Sequence, residues 1–179
     1  MVGLPMNAVQ LGEFPPEALL NQYKEQGVYT DCYCVDLPRA VSQAEFVEAF
    51  YTTKLFKAER FILSSLLSKP STDEQARQLA AGEVEAFAAW RVEARSANQL
   101  LLCDFLGRTR SWLMSVADEG ARPGSTRLYF GSAFLPKVDR ATGPASYGLE
   151  FHALKGFHRL YSRALLRSAQ SRLLLTKPS

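Results

Sequence analysis

Two acidic residues and one histidine are the side chains best suited to acid–base chemistry. His152 and His158 are the only histidines. Six residues along a helix set them about 120° apart, so they cannot converge on one metal ion. His158 falls at the border of an apolar helix face, where it could touch a ligand, whereas His152 points outward. Asp104 interrupts an apolar strand, and Glu150 projects towards the apolar face. Asp104, Glu150 and His158 are therefore the candidate general acids or bases.

Each candidate also has an ordinary structural explanation. A carboxylate in the first helical turn, such as Glu150, is favoured by the helix dipole. A buried Asp104 would need a cationic partner, which Arg91 or Arg95 on a neighbouring strand could provide. The sequence has no P-loop, dinucleotide-binding fingerprint, nucleophile elbow or HExxH motif. It therefore assigns no catalytic residue, and an enzyme is the less favoured interpretation.

The three cysteines do not form a recognisable metal or disulfide pattern. Cys32 and Cys34 lie on one side of a predicted strand, about 7 Å apart along the backbone, which is at the outer limit for a disulfide. Zinc would need two further ligands, and only Cys103 is an obvious third. We therefore expect reduced thiols and neither a metal nor another cofactor, as in a cytoplasmic protein.

A long helix, predicted from Tyr147 to Leu175, must position the two histidines. Apolar residues recur along it at steps of three and four, which places them on one face. Lys155, Arg159 and Arg163 fall on the other side. The apolar face consists of Ala153, Leu154, Phe157, Leu160, Tyr161, Ala164 and Leu165. So wide a face needs a broad apolar surface beneath it.

An antiparallel sheet is predicted to supply that surface. Five segments have the period of two, or the apolar run, of buried strands, and short links between the last four favour a hairpin meander. These segments are Val28–Leu37, Val84–Arg95, Gln99–Leu106, Arg110–Asp118 and Thr126–Pro136. The fold class is therefore α+β, with an antiparallel sheet of about five or more strands gripped by the C-terminal helix.

Two or three short helices are predicted between the first strand and the meander. Ser42 and Glu45 have the spacing of a capping box, which marks a helix start. A second helix is predicted from Leu55 to Ser68. Ser71 and Glu74 then repeat the capping-box spacing, which opens a short third helix.

Composition and length describe one folded domain. The chain has 179 residues, of which 47% are apolar and 22% charged, enough to bury a sizeable core. We interpret residues 1–16, which include three prolines, as an N-terminal arm and residues 17–179 as a single domain. No apolar run reaches the roughly 18 residues needed to cross a bilayer, and the N-terminus lacks the pattern of a secretory signal. We expect a cytoplasmic protein without stable membrane insertion.

Positive charge is concentrated at the C-terminal end. From Glu150 onward there are six basic residues and one acidic residue, a net charge of +5 against −2 for the rest. Such a face can attract phosphates or an anionic membrane. A solvated helix face is the simpler explanation, so no nucleic-acid partner is expected. A surface-mediated interaction module remains an alternative, and a homodimer is left open.

The order of elements resembles the helix-grip superfamily of START and plant-allergen-like lipid-binding proteins, and most closely its bacterial members of unknown function. The resemblance is carried by Gln99-Leu100-Leu101-Leu102, Arg110-Ser111-Trp112-Leu113, Ala133-Phe134-Leu135-Pro136 and Phe157-His158-Arg159-Leu160-Tyr161-Ser162-Arg163. It implies a curved sheet and a final helix that enclose an apolar cavity, and no shared catalytic residue. Fuller members have about two more strands than this sequence reveals.

The resemblance implies a binding site for an apolar or amphipathic small molecule between the sheet and the last helix. An aromatic-rich set can line such a pocket or simply fill a core. The alternative on the same fold is an enzyme of the polyketide-cyclase or dehydratase kind. The residues expected to line the cavity are Trp90, Trp112, Met114, Phe130, Phe134, Phe157, Tyr161 and Leu165.

Overall fold

The computed structural model describes residues 7–58, 71–118, 122–136 and 148–176, with only the backbone of residues 148–155. Seven strands and four helices with both ends described lie within these ranges, and residues 54–58 are helical as well. The strands are β1 (Gln10–Leu11), β2 (Tyr29–Leu37), β3 (Ala86–Phe87), β4 (Trp90–Ser96), β5 (Gln99–Asp104), β6 (Thr109–Asp118) and β7 (Ser125–Phe134). The helices are α1 (Asn21–Glu25), α2 (Gln43–Tyr51), α3 (Asp73–Ala81) and α4 (Gly148–Leu175).

All seven strands form one antiparallel sheet in the order β1-β2-β7-β6-β5-β4-β3. Strands β3 to β7 form the expected meander, and β2 pairs with β7 along its whole length. The predicted α+β class, with an antiparallel sheet and a long C-terminal helix, is thus confirmed. The two strands that sequence analysis missed, β1 and β3, have only two residues each, too few for a detectable period.

The predicted strand Val84–Arg95 is wrong as a single element, because the chain turns back on itself at residues 88–89. Ala88 takes a positive φ of 54°, and Phe87 pairs with Trp90 across the resulting hairpin. In a continuous strand, Phe87 would share a side with Glu85 and Arg91, but it is buried. It stacks on the ring of Phe56, and this contact outweighs the local pattern.

Helix starts follow the capping chemistry closely. Ser42 accepts a hydrogen bond from the backbone N–H of Glu45 at 3.2 Å, and the Glu45 carboxylate accepts one from the Ser42 N–H at 2.8 Å. The predicted capping box of α2 is confirmed. At α3 the box is formed by Thr72 and Gln75, one residue later than predicted. Of the second predicted helix, residues 55–58 are helical, and its remainder from residue 59 lies outside the described ranges.

Apolar side chains cover both faces of the sheet. On one face, α2 and α4 pack over residues such as Val35, Leu102 and Leu113. On the other, the segment around Leu20 packs over Trp112 and its neighbours. Part of the predicted N-terminal arm is therefore integral to the fold, since it supplies β1 and covers the second face. None of the described helices is long and apolar enough to cross a membrane.

Candidate ligand-binding cavity

A cavity of about 170 Å³ lies between the sheet and α4. Most of its wall is aromatic or aliphatic, and its polar wall contains hydroxyl groups, one guanidinium group and one imidazole. The apolar lining residues are Phe50, Phe56, Trp90, Phe130, Phe134, Tyr161 and Leu165. The polar lining residues are Thr109, Arg110, Ser111, Ser132 and His158. The wall thus combines a mainly apolar body with one polar region.

Five of the eight residues expected in the cavity line it. They are Trp90, Phe130, Phe134, Tyr161 and Leu165. These residues come from β4, β7 and α4. Alternation along the strands and spacing along the helix had predicted that they face the space between the sheet and the helix. The candidate acid–base residue His158 lines the cavity as well.

The expected positions of Trp112 and Met114 are wrong, because both residues lie on the opposite face of the sheet. Leu113 is paired with Phe130 across β6 and β7, so its neighbour Trp112 must point the other way. The Trp112 indole packs near Phe14, 5.6 Å between ring centroids. Residue alternation shows which residues of a strand share a face, but it does not show which face meets the helix.

Phe157 is also displaced from its expected position. Its side chain is 65% exposed, and its ring is stacked on that of Tyr161 at 6.0 Å between centroids. It therefore stands beside a lining residue and is not itself among those that line the cavity.

The polar wall is built on a row of side chains that crosses three strands. Asp31 of β2 lies opposite Ser132 of β7, and Ser132 lies opposite Ser111 of β6. Residues in such a row are close neighbours, with Cβ atoms about 5 Å apart. All three face α2 and α4, and the Tyr51 hydroxyl lies 3.1 Å from Ser111 Oγ. The row thus sets polar atoms beneath two helices.

His158, on α4, contacts this row of side chains from the helix side of the sheet. Its Nε2 lies 3.1 Å from Ser132 Oγ and 3.1 Å from Ser162 Oγ. The same nitrogen is 3.4 Å from Asp31 Oδ2. The arrangement differs from a catalytic triad, in which the serine and the carboxylate contact opposite nitrogens of the ring. Here all three partners contact one nitrogen, so the carboxylate does not orient the imidazole towards the serine.

Asp31 is not among the residues that line the cavity, but it lies against two that do, Ser132 and His158. Its side chain is 5% exposed, and neither carboxylate oxygen accepts a hydrogen bond from the described residues. The negative charge of Asp31 contributes to the raised pKa values of two neighbouring side chains. Burial, and then the charge of Asp31, raises the pKa of the Tyr33 hydroxyl to about 12. Burial, followed by the charges of Cys34 and Asp31, raises the pKa of the Cys32 thiol to about 12.

Asp104, a second acid–base candidate, does not line the cavity. Asp104 Oδ1 accepts hydrogen bonds from the backbone N–H groups of Arg108 at 2.7 Å and Thr109 at 3.0 Å, so it closes the turn between β5 and β6. The two arginines expected to pair with Asp104 form other contacts. Arg95 donates a hydrogen bond to the Leu79 carbonyl at 2.9 Å, and Arg91 lies 3.9 Å from Cys103 Sγ. The side chains of residues 150 and 152, which include Glu150, lie outside those described.

The three cysteines are free. Cys32 and Cys34 both face Gly12 of the N-terminal segment, where an added Cβ would lie 3.4 Å and 3.2 Å from their sulfur atoms. The thiols thus accommodate a close approach of the chain. Within the described residues, no group of three or more histidine, cysteine and acidic side chains could hold a metal ion.

Sequence reasoning missed Asp31, Ser111 and Ser132. The available signal was a polar residue at an apolar position of a strand. Asp31 lies two residues from both Tyr29 and Tyr33, and Ser132 lies two residues from Phe130 and Phe134. A charged or hydroxyl side chain on an otherwise apolar face needs a partner across the core, and His158 is the side chain that approaches both Asp31 and Ser132 from there.

Comparison of the chain with protein-family models, curated proteins and solved structures finds no match. The functional argument therefore does not depend on any matched relative.

Proposed function

We propose that this protein binds one small, mainly apolar molecule in the cavity beneath α4, without changing it chemically. The observation that carries the proposal is the cavity itself, with aromatic walls and a single polar region. Its volume of about 170 Å³ is below the range of about 300–1,000 Å³ typical of drug-sized ligands. It is close to the roughly 150 Å³ of an engineered cavity that binds benzene. A ligand the size of one ring, or a short chain, fits this space.

The location agrees with the helix-grip resemblance, which places the ligand between the sheet and the last helix. That resemblance supports the site and says nothing of the ligand's identity. The volume argues against a long lipid chain and narrows the expectation to small apolar or amphipathic compounds.

The two tryptophans provide a direct test, because only Trp90 lines the cavity and Trp112 is sealed on the other face. Toluene and benzyl alcohol are titrated into the labelled protein while the two indole N–H signals are followed by nitrogen–proton correlation NMR. We expect the Trp90 signal to shift to saturation. The Trp112 signal, whose N–H donates to Gln99 Oε1 at 2.9 Å, should stay in place. A Trp90 signal that never moves argues against the proposal.

A blocking variant strengthens this test. Ser132→Leu places a larger side chain in the cavity wall and should weaken binding by at least about tenfold, or about 1.4 kcal/mol. Ser96→Leu is the matched control, because Ser96 is exposed at the end of β4. Equal binding by both variants would place the probe somewhere other than this cavity.

An acid–base enzyme is the second candidate, because His158 lines the cavity beside Asp31. It is less favoured because three protein oxygens already surround the Nε2 atom of that histidine. A compound released from the purified protein by denaturation and identified by mass spectrometry can be incubated with fresh protein. Conversion of that compound by the wild type, abolished in His158→Ala, would replace the binding proposal with catalysis.

A further inference from the structure

One buried acceptor beside the polar region of the cavity, the carboxylate of Asp31, lacks hydrogen-bond donors among the described residues. Both carboxylate oxygens of Asp31 are buried, and no described residue donates to either. Buried polar atoms in folded proteins almost always have a partner, so such an orphan points to a group that the protein alone does not supply. The free-energy cost of burying a group without a hydrogen-bond partner is greatest for a charged group, because burial removes the water that solvated the charge.

His158 cannot meet this need alone. Its Nε2 carries at most one hydrogen, yet it faces oxygen atoms of Ser132, Ser162 and Asp31. A hydrogen donated to either serine is not available to the carboxylate. If the hydrogen is directed at Asp31, the second carboxylate oxygen still lacks a donor. At least one further donor is therefore needed at this cluster, which we call the Asp31 cluster (Asp31, Ser132, His158 and Ser162).

The arginines nearest to the Asp31 cluster are exposed to solvent or occupied by other contacts. Arg159 and Arg163 act on this region from α4, but Arg159 is fully exposed and its effect is screened by solvent. Arg163 lies over the Tyr33 ring, 5.9 Å from its centroid. Arg110, which also lines the cavity, forms an ion pair with Glu93, 2.8 Å between Nε and Oε2. No described arginine is thus left inside the cavity to bind an anion.

We propose that the ligand carries a hydrogen-bond donor, a hydroxyl or ammonium group, which contacts the Asp31 cluster, and that the site rejects carboxylates. This inference rests on the proposed function, since it names the chemistry of the ligand in the same cavity. A donor group on the ligand satisfies the carboxylate oxygens of Asp31, whereas a carboxylate would place a second negative charge near that of Asp31, where like charges repel each other.

Four probes with one aromatic ring separate the possibilities: benzylamine, benzyl alcohol, toluene and benzoate. Their affinities are measured at neutral pH from the Trp90 indole signal. We expect benzylamine or benzyl alcohol to bind at least about tenfold more tightly than toluene, the gain typical of a hydrogen bond to a charged group. Benzoate should bind most weakly. Comparison of benzylamine with benzyl alcohol shows whether the site requires a positive charge on the ligand or only a hydrogen-bond donor.

Asp31→Asn tests the assigned residue. The amide removes the negative charge, so the preference for benzylamine over toluene should fall towards one and benzoate should gain affinity. Asp36→Asn is the matched control. Asp36 lies on the same strand but on its other face, paired with Arg127 at 2.6 Å and 3.0 Å. It should leave all four relative affinities unchanged.

A second variant keeps the inference testable if Asp31→Asn does not fold. Ser132→Ala removes one hydroxyl of the cluster without removing the charge, and it should reduce the preference for benzyl alcohol over toluene. Wild-type binding of benzoate as tightly as benzylamine, or equal binding of all four probes, would overturn this inference and leave the proposed function standing. No binding of any probe would overturn both.

Discussion

At the scale of single residues, Gly131 shows how tightly the second face of the sheet is packed. It lies on β7 directly opposite Trp112. A Cβ added there would lie 2.9 Å from Trp112 Cε3, 3.0 Å from the Asp31 carbonyl oxygen and 3.0 Å from Phe14 Cε1. The indole therefore occupies the space that a side chain would need. The same glycine lets the N-terminal segment close over the ring.

We predict that Gly131→Ala lowers the free energy of unfolding by about 1–3 kcal/mol, the usual cost of overpacking a core. Urea denaturation followed by circular dichroism measures the change. Gly156→Ala is the control, because an added Cβ meets nothing within 4 Å on α4. That substitution should stabilise the protein by about 0.5–1 kcal/mol through helix propensity. Equal effects of the two changes would contradict the packing described for Trp112.

At the scale of elements, α3 shows what a local motif can and cannot specify. The Thr72 hydroxyl accepts a hydrogen bond from the Gln75 N–H at 3.1 Å, and the Gln75 side chain accepts one from the Thr72 N–H at 3.0 Å. The sequence offers the same spacing at Ser71 and Glu74. Two overlapping boxes one residue apart are locally almost equivalent. The position at which Ala76 and Leu79 are buried selects between them.

We predict that Thr72→Ala destabilises the protein by about 1 kcal/mol, because the helix loses its N-cap. Glu74→Ala should cost only a few tenths of that, since the Glu74 side chain makes an exposed ion pair with Arg77, 3.0 Å between Oε2 and Nη2. Thermal denaturation of the two variants gives the comparison. A larger loss for Glu74→Ala would favour the cap predicted from sequence.

At the scale of the whole molecule, one sheet is shared by two apolar cores. The helix-side core contains Phe50 and Leu166, and the opposite core contains Leu20 and Trp112. Adjacent residues of the same strand belong to different cores, as Leu113 and Trp112 do. Neither core can come apart without disturbing the strands that support the other.

We predict a single cooperative unfolding transition. The indole signals of Trp90, on the helix side, and Trp112, on the other, should disappear at the same urea concentration, and the loss of circular dichroism should coincide with both. Loss of the Trp112 signal at a clearly lower urea concentration would show that the N-terminal segment and α1 detach separately.

The sequence alone determined the features that depend on neighbouring residues. Alternation located β2, β6, β7 and part of β4, an apolar run located β5, and the Ser42 capping box located α2. Helical spacing identified α4, but on the face that it predicted only Tyr161 and Leu165 line the cavity, whereas Phe157, Leu160 and Ala164 are exposed. These signals are local, because backbone geometry repeats every two or 3.6 residues. They were sufficient for the α+β class and for five residues of the candidate cavity.

Only the tertiary structure decided which side of each strand meets the helix. Pairing between β6 and β7 sends Trp112 away from the cavity, and the chain reversal at Ala88 sends Phe87 into the core. It also brought Asp31 to His158, which is far away along the chain. Such contacts depend on strand register and on packing between distant segments. A register shift of one residue would move every side chain of a strand to the opposite face of the sheet. Local periodicity contains no information about either.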